Sequence, residues 1–416
     1  MKNLTVFSSG SRAVDNVRYE VVERKGIGHP DTICDAVAEN ISRAFSEYTL
    51  REWGVVLRHM LDKIAIQGGS SRVTFGGGEM LKPAKLYLNC RFTREVADRK
   101  VPYFDIARDA IHAEFKKAVP AFDAERWLEI VDNTHFSQGP GVVYDVDEKP
   151  NERQFFFAAP EASFLQYHSN DLRSNDTSTG VGYAPLSVLE RVVLMAENML
   201  NTIALKRKHP CVGTDIKIMG VRIDKEISLT CCVPLISTHI RSEHEYHEQL
   251  LSLQSIVQDA LQAEFPEYTF RLSMNTRDNP SKSDFYLTLT GSAIESGDEG
   301  VVGRGNRING VIPFTRHMSM EASCGKNPVY HVGKVYTVLC SLISQEIWAR
   351  LGRENYVYIT SQIGKPLTAP WHIGVDLCNV QPTESEKHSI QQIVTKHVSS
   401  PDAITQQIIR GDVRLY

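Results

Sequence analysis

Two glycine-rich stretches, far apart in the chain, hold residue types that could do chemistry together: Gly26-Ile-Gly-His-Pro-Asp31 and Gly297-Asp-Glu-Gly-Val-Val-Gly-Arg-Gly-Asn-Arg307. Each carries a carboxylate, Asp31 in the first and Asp298 in the second. The first adds His29, and the second adds Arg304 and Arg307. Glycine lets backbone N–H groups approach an anion, a carboxylate can hold Mg²⁺, and an arginine can fork onto phosphate oxygens. The pair predicts a site for a metal-bound polyphosphate. Pro30 suits the first position of a helix, which puts His29 at the cap and Asp31 in the first turn. This is not a dinucleotide-binding G-x-G-x-x-G turn, because Asp31 stands where the last glycine belongs.

Further polar clusters lie along the chain. Met318-Ser-Met-Glu321-Ala-Ser-Cys-Gly325-Lys326-Asn-Pro328 leads into His331 and Lys334. A helix opening at Pro328 would direct its first amides at an anion beside Lys326. This is not a Walker A loop, since Met320 and Asn327 occupy two of its defining positions. Asp62-Lys63 places a charged pair inside an apolar run. Asp176 sits among small hydroxyls and glycines between Ser174 and Pro185, and Asp215 and Lys217 would share one face of a strand. Each has an ordinary structural reading too: a dipole-complementing helix start, a solvated strand edge, a plain turn, an exposed ion pair. Nucleophile-elbow, zinc-protease and zinc-ligand spacings are missing.

Composition bounds the rest. The 416 residues are 42% hydrophobic and 23% charged, enough to bury a sizeable core in two or three domains. A net charge of −4 gives no basic field for nucleic acid. No apolar run is long enough to span a membrane, and the first residues do not resemble a signal peptide. The eight cysteines form no C-x-x-C pair, which suggests buried, reduced thiols in a cytoplasmic protein.

Helical periodicity runs through Ile33, Val37, Ile41 and Phe45, then after Pro185, over 243–264, and from about 328 to 351. Strand-like runs cover 54–67, 84–93, 215–223, 226–235, 268–274, 285–290, 356–363 and 372–377. Strands arriving in twos and threes between long amphipathic helices predict an α+β architecture with mixed or antiparallel sheets. The irregular region Gln138–Arg173 is expected to be a long functional loop.

Taken in order, Val22–Asp31, Asn175–Ser178, Gly180–Ser187, Asp215–Gly220, Gly297–Arg307, Met318–Ala322 and Gly325–Lys334 closely resemble the archaeal-type S-adenosylmethionine synthetases. The match spans most of the chain. The resemblance implies three similar α/β subdomains around a pseudo-threefold axis, partly interleaved, over about 1–135, 136–275 and 276–416. It implies transfer of the adenosyl group of ATP to the sulfur of L-methionine, with the triphosphate then hydrolysed and released as pyrophosphate and phosphate, Mg²⁺ required and K⁺ stimulating. It also implies a homodimer with active sites at its interface, with a tetramer left open. By family position His29 sits near the reacting carbon, and Asp31 and Asp298 bind Mg²⁺. Lys217, Arg304, Lys326 and Lys334 hold the triphosphate. Asp215 and Asp176 contact methionine or nucleoside, Lys63 and Arg307 join the substrate-binding set, and Glu23 matches a monovalent-cation position.

The chain departs from the family where Arg58-His59-Met60 replaces two histidines and an asparagine, and where Ser70 replaces an arginine. Cys324 replaces a serine, Tyr330 an asparagine, and Ser137–Gly141 only loosely keeps a Gly-x-Gly-Ser segment. These changes gather where the amino-acid substrate or a gate is expected, leaving a methionine analogue as an alternative acceptor. The same scaffold also admits an ATP hydrolase or a regulatory subunit.

Overall fold

A computed structural model of the chain describes residues 3–96, 99–135 and 172–416. The expected loop Gln138–Arg173 falls outside the described residues except for its last two, and Ser137–Gly141 falls outside entirely.

Three principal sheets share one plan. The first orders its strands Leu128–Asp132, Ala84–Leu88, Ala65–Gln67 and Glu299–Val301. The second runs Thr269–Met274, Glu226–Cys232, Lys217–Ile223 and Tyr19–Lys25, with Ile312–Pro313 at its edge. The third runs Leu4–Phe7, His372–Leu377, Asn355–Thr360 and Thr179–Ala184. In each, the first two strands are parallel and the following pairings antiparallel. A parallel pair needs a crossover. Helix Tyr103–Ala118 supplies it in the first sheet and Glu243–Glu264 in the second, while in the third the N-terminal strand Leu4–Phe7 takes that place.

The fourth strand of every sheet comes from another unit. Tyr19–Lys25 precedes helix Pro30–Trp53 of the first unit but joins the second sheet. Thr179–Ala184 precedes helix Val188–Leu200 of the second but joins the third. Glu299–Val301 precedes helix Val332–Leu351 of the third but joins the first. The exchange closes in a ring of three, and it carries Gly297–Arg307 onto the start of the first helix.

Local chemistry explains the helix ends. Pro30 opens the first helix behind a His29 cap, and Gly54 closes it at φ 72°. Ser187 and Glu190 form a capping box on Val188–Leu200. Ile33, Val37, Ile41 and Phe45 are all fully buried, as their spacing predicts. Two expectations fail. The strand foreseen over 54–67 resolves into short strands His59–Met60 and Ala65–Gln67 around an Asp62-Lys63 turn. The helix foreseen from 328 begins at Val332. Asn327 Oδ1 accepts the Val329 N–H and Asn175 Oδ1 the Val332 N–H, and the His331 side chain caps Gly333. Those amides therefore do not face an anion.

None of the described helices is long and apolar enough to cross a membrane. Helix Val332–Leu351 lies directly against strand Thr179–Ala184. A Cβ on Gly182 would come within 2.3 Å of the Cys340 backbone, and one on Gly180 within 2.6 Å of Tyr336. Backbone cannot yield as a side-chain tip can. Gly182→Ala is expected to lower stability by about 2 kcal/mol or more, as overpacking of a filled core does, with no change in m-value; urea unfolding checks this.

Candidate active site

The two glycine stretches meet and lock. Asn306 Oδ1 accepts the Lys25 N–H at 3.0 Å while its Nδ2 donates to Lys25 O at 2.8 Å. Lys25 Nζ donates to Asp31 Oδ2 and to Arg304 O, both at 2.8 Å. Asp31 Oδ1 accepts the Val301 N–H at 2.9 Å, and one helical turn on, Asp35 Oδ1 accepts the Gly303 N–H at 2.8 Å. Gly300 packs on Pro30, where a Cβ would reach 2.3 Å from its backbone.

These contacts correct the anion-facing role expected of the glycines. Gly26 N–H donates to Ile216 O and Gly28 N–H to Thr214 O. In the second stretch the Val301 and Gly303 amides go to Asp31 and Asp35, and those of Asp298, Val302, Arg304 and Arg307 to backbone carbonyls. The glycines are there so that chains can cross closely, and the charged side chains are left to meet a ligand.

One cleft, of about 640 Å³, has His29, Asp215, Lys217, Tyr286 and Asp298 on its walls. His29 Nδ1 accepts the Asp31 N–H at 3.1 Å, so the neutral ring carries its proton on Nε2. Burial pushes the imidazole down to about 4, helped by Lys25 and Lys217 and opposed by Asp31. The ring is therefore an uncharged donor at pH 7. Lys217 Nζ lies 3.5 Å from Glu23, which also lies 3.7 Å from Lys25. Asp298 stands exposed at the rim. Burial of its inner side, then the charges of Glu299 and Asp31, raise its carboxyl.

Asp215 does not pair with Lys217 on a strand face, as expected. It precedes the strand, is buried, and accepts the Ala293 N–H at 2.9 Å. Burial pushes it up to about 7; Asp298 adds to this, while the Ala293 N–H and the Tyr286 and Ser292 side chains oppose it. Arg304 is exposed, its carbonyl accepts from Lys25 Nζ, and its guanidinium has no hydrogen bond or ion pair among the described residues.

A second group sits elsewhere. Lys326 is buried and pairs with Glu321, with Asp62 at 3.9 Å. Glu321 accepts from Ser178 Oγ at 2.7 Å. Asp62 also holds the exposed Lys63 at 2.6 Å, and Met60, Asp62, Lys63, Arg91 and His135 line another cleft of about 720 Å³. Asp176 is exposed on the adjoining turn, where its side chain accepts the Thr177 N–H. Ser42 Oγ, which donates to Lys326 O, is thirteen residues beyond His29, about 20 Å along the helix at its usual rise.

Two expected ligand residues turn inward. Arg307 donates to the carbonyls of Gly303 and Gly305, within its own loop. Lys334 is fully buried, with Nζ 2.6 Å from Glu39. The structure also adds residues. Lys25 joins the two motifs and Tyr286 bonds Asp215. Asp35 and Glu39 continue a stripe of carboxylates from Asp31 at four-residue intervals. That spacing was visible in the sequence, whereas nothing there marks Tyr286. Two of the departures touch each other: the Arg58 guanidinium lies over the Tyr330 ring at 5.5 Å.

A family model described as S-adenosylmethionine synthetase (AdoMet synthetase) matches residues 2–412. The chain belongs to this family. It is 38% identical over 392 residues to the S-adenosylmethionine synthase of Pyrococcus furiosus, covering 94% of this chain and 92% of that one. It is 35% identical over 425 residues to that of Methanocaldococcus jannaschii, covering all of both. A solved structure titled as an unusual S-adenosylmethionine synthetase from Campylobacter jejuni superposes with a TM-score of 0.58 at 13% identity, over 96% of this chain and 94% of that chain. This last likeness concerns the fold alone.

Asp35 has a pH consequence. Burial pushes its carboxyl from 3.8 up to about 7, against the Gly303 N–H and Arg307. The folded protein therefore binds an extra proton between those values, and stability falls as pH rises through that window. Asp35→Asn cannot ionise and escapes this loss. In metal-free denaturant unfolding it should gain stability relative to the unsubstituted chain between pH 4 and 8, by up to about 4 kcal/mol.

Proposed function

We propose that this synthetase transfers the adenosyl group of ATP to the sulfur of L-methionine, releasing the triphosphate. The thioether lone pair forms the S–C5′ bond while the C5′–O bond breaks and its electrons pass to the triphosphate. Sulfur needs no activating base. The protein must align the reactants and receive charge on the leaving oxygens. The observation that carries this reading is the cleft wall where a neutral His29, Lys217, Asp215 and Asp298 converge. His29 supplies an Nε2–H to the oxygen at the reacting carbon. Lys217, held by Glu23, and the uncommitted Arg304 receive phosphate charge. Asp215, steadied by Tyr286 and the Ala293 amide, addresses the nucleoside or the methionine.

Mg²⁺ fits Asp298, a hard oxygen donor at the rim whose carboxyl is raised partly by neighbouring negative charge that a cation would relieve; Asp31, whose oxygens hold the Val301 N–H and Lys25, would join it only by exchanging Lys25 for the ion. No cluster of three or more metal-ligating side chains exists among the described residues, so phosphate oxygens and water would complete the shell. The bound ion would neutralise charge on the triphosphate. K⁺ at Glu23 fits poorly, because two lysine ammoniums already flank that carboxylate. The eight free cysteines suit a reducing cytoplasm.

The separation of the Lys326 group from His29 supports a homodimer in which each site takes His29, Lys217 and Arg304 from one subunit. Lys326, Lys63 and Asp176 come from the other. With ATP, L-methionine and Mg²⁺, mass spectrometry should find the adenosylated sulfonium, and chelation should abolish it; ADP instead would overturn the reading. His29→Asn and Lys217→Met should each lower kcat by about two orders of magnitude or more, as loss of a charge-stabilising donor does. Refolding a mixture of His29→Asn and Lys326→Met chains should restore about a quarter of native activity, since half the dimers would be hybrids with one intact site. If the mixture stays inactive while hybrids form, the shared site is refuted.

A further inference from the structure

Lys334 lies in a motif of the family, yet nothing in its surroundings opens toward a ligand. It is wholly buried in the first turn of helix Val332–Leu351, and its Nζ meets Glu39 Oε2 at 2.6 Å. That same Glu39 oxygen accepts the Gly325 N–H at 3.0 Å. Gly325 is the residue before Lys326. Its carbonyl accepts the Leu61 N–H at 2.8 Å, and the next carbonyl, of Lys326 itself, accepts from Ser42 Oγ at 3.2 Å. Gly325 has φ 74° and packs against Ala38 and the Leu61 backbone, so this turn has little freedom to re-form elsewhere.

We propose that Glu39 and Lys334 are positioning residues: a buried ion pair that holds the backbone of the Gly325–Lys326 turn so that the Lys326 ammonium is aimed. Lys334 then acts only through Glu39. An unpaired Glu39 would carry a buried charge and relax its hold on the Gly325 amide, so removing either partner costs more than removing both charges together. Glutamine keeps the acceptor for Gly325 N–H while deleting the charge, and methionine keeps the length and apolar stem of lysine.

This inference rests on the reading of Lys326 as a substrate-facing cation, and a double-mutant cycle tests it in the full-length protein. Lys334→Met and Glu39→Gln should each lower kcat/KM for ATP by about tenfold or more while the methionine KM moves little. The doubly substituted chain should recover at least about fivefold over the worse single, a coupling expected of contacting charges. A direct triphosphate contact predicts the opposite: Lys334→Met would be as damaging in the Glu39→Gln background as alone, and that result overturns the proposal. If a single variant does not fold, lysine acylation of the unsubstituted protein decides. Lys334 should stay unmodified with and without ATP while Lys217 is labelled and protected; Lys334 labelled and protected by ATP refutes the clasp. Failure of the underlying reading looks different, since Lys326→Met would then leave kcat/KM for ATP unchanged.

Discussion

The structure depends on one arrangement: a helix whose buried face presents carboxylates at successive turns to backbone amides borrowed from the other end of the chain. Asp31 takes Val301, Asp35 takes Gly303 and Glu39 takes Gly325. Burying three carboxylates is costly in isolation. The cost is offset only in part: Asp31 and Glu39 each meet an amide and a paired cation, Lys25 or Lys334, while at Asp35 burial outweighs the Gly303 amide and the charge of Arg307. Charge-assisted hydrogen bonds of this kind are stronger in a low-dielectric interior than at a surface. The result is a rigid frame for the two loops bearing Arg304 and Lys326.

The ring of exchanged strands makes that frame possible. Glu299–Val301 pairs with Ala65–Gln67, so the third unit's glycine loop is fixed beside the first unit's helix. Tyr19–Lys25 pairs with Lys217–Ile223, so Lys25 and Glu23 lie beside Lys217. A site assembled around two exchanged strands, Tyr19–Lys25 and Glu299–Val301, cannot loosen in one unit without disturbing the others. That suits a displacement reaction in which alignment and preorganised charge, rather than a covalent intermediate, must lower the barrier.

Division of labour among like residues follows from burial. Of the expected cations, Lys217 and Arg304 keep exposed or half-exposed ends, Lys326 is buried on Glu321, and Arg307 and Lys334 are committed to the protein's own carbonyls and carboxylates. The glycines divide in the same way. Gly26, Gly28 and Gly300 serve close chain crossings, Gly297 supplies a left-handed turn at φ 92°, and the anion is left to side chains.

Much was legible in the sequence. The proline and histidine at the start of the first helix, the apolar faces of four helices and the alternating strand Thr269–Met274 follow from backbone stereochemistry and periodicity, which act over a few residues. The family motifs named the chemistry. Strand Tyr19–Lys25 was hidden because Glu20, Glu23, Arg24 and Lys25 read as solvated charge, yet all four are buried and paired. Only long-range contact turns such a polar run into the heart of a sheet. The same holds for Lys334: its type and motif were plain, but whether it faces a ligand or a carboxylate was decided by a helix some three hundred residues earlier, through an ion pair that no local rule can place.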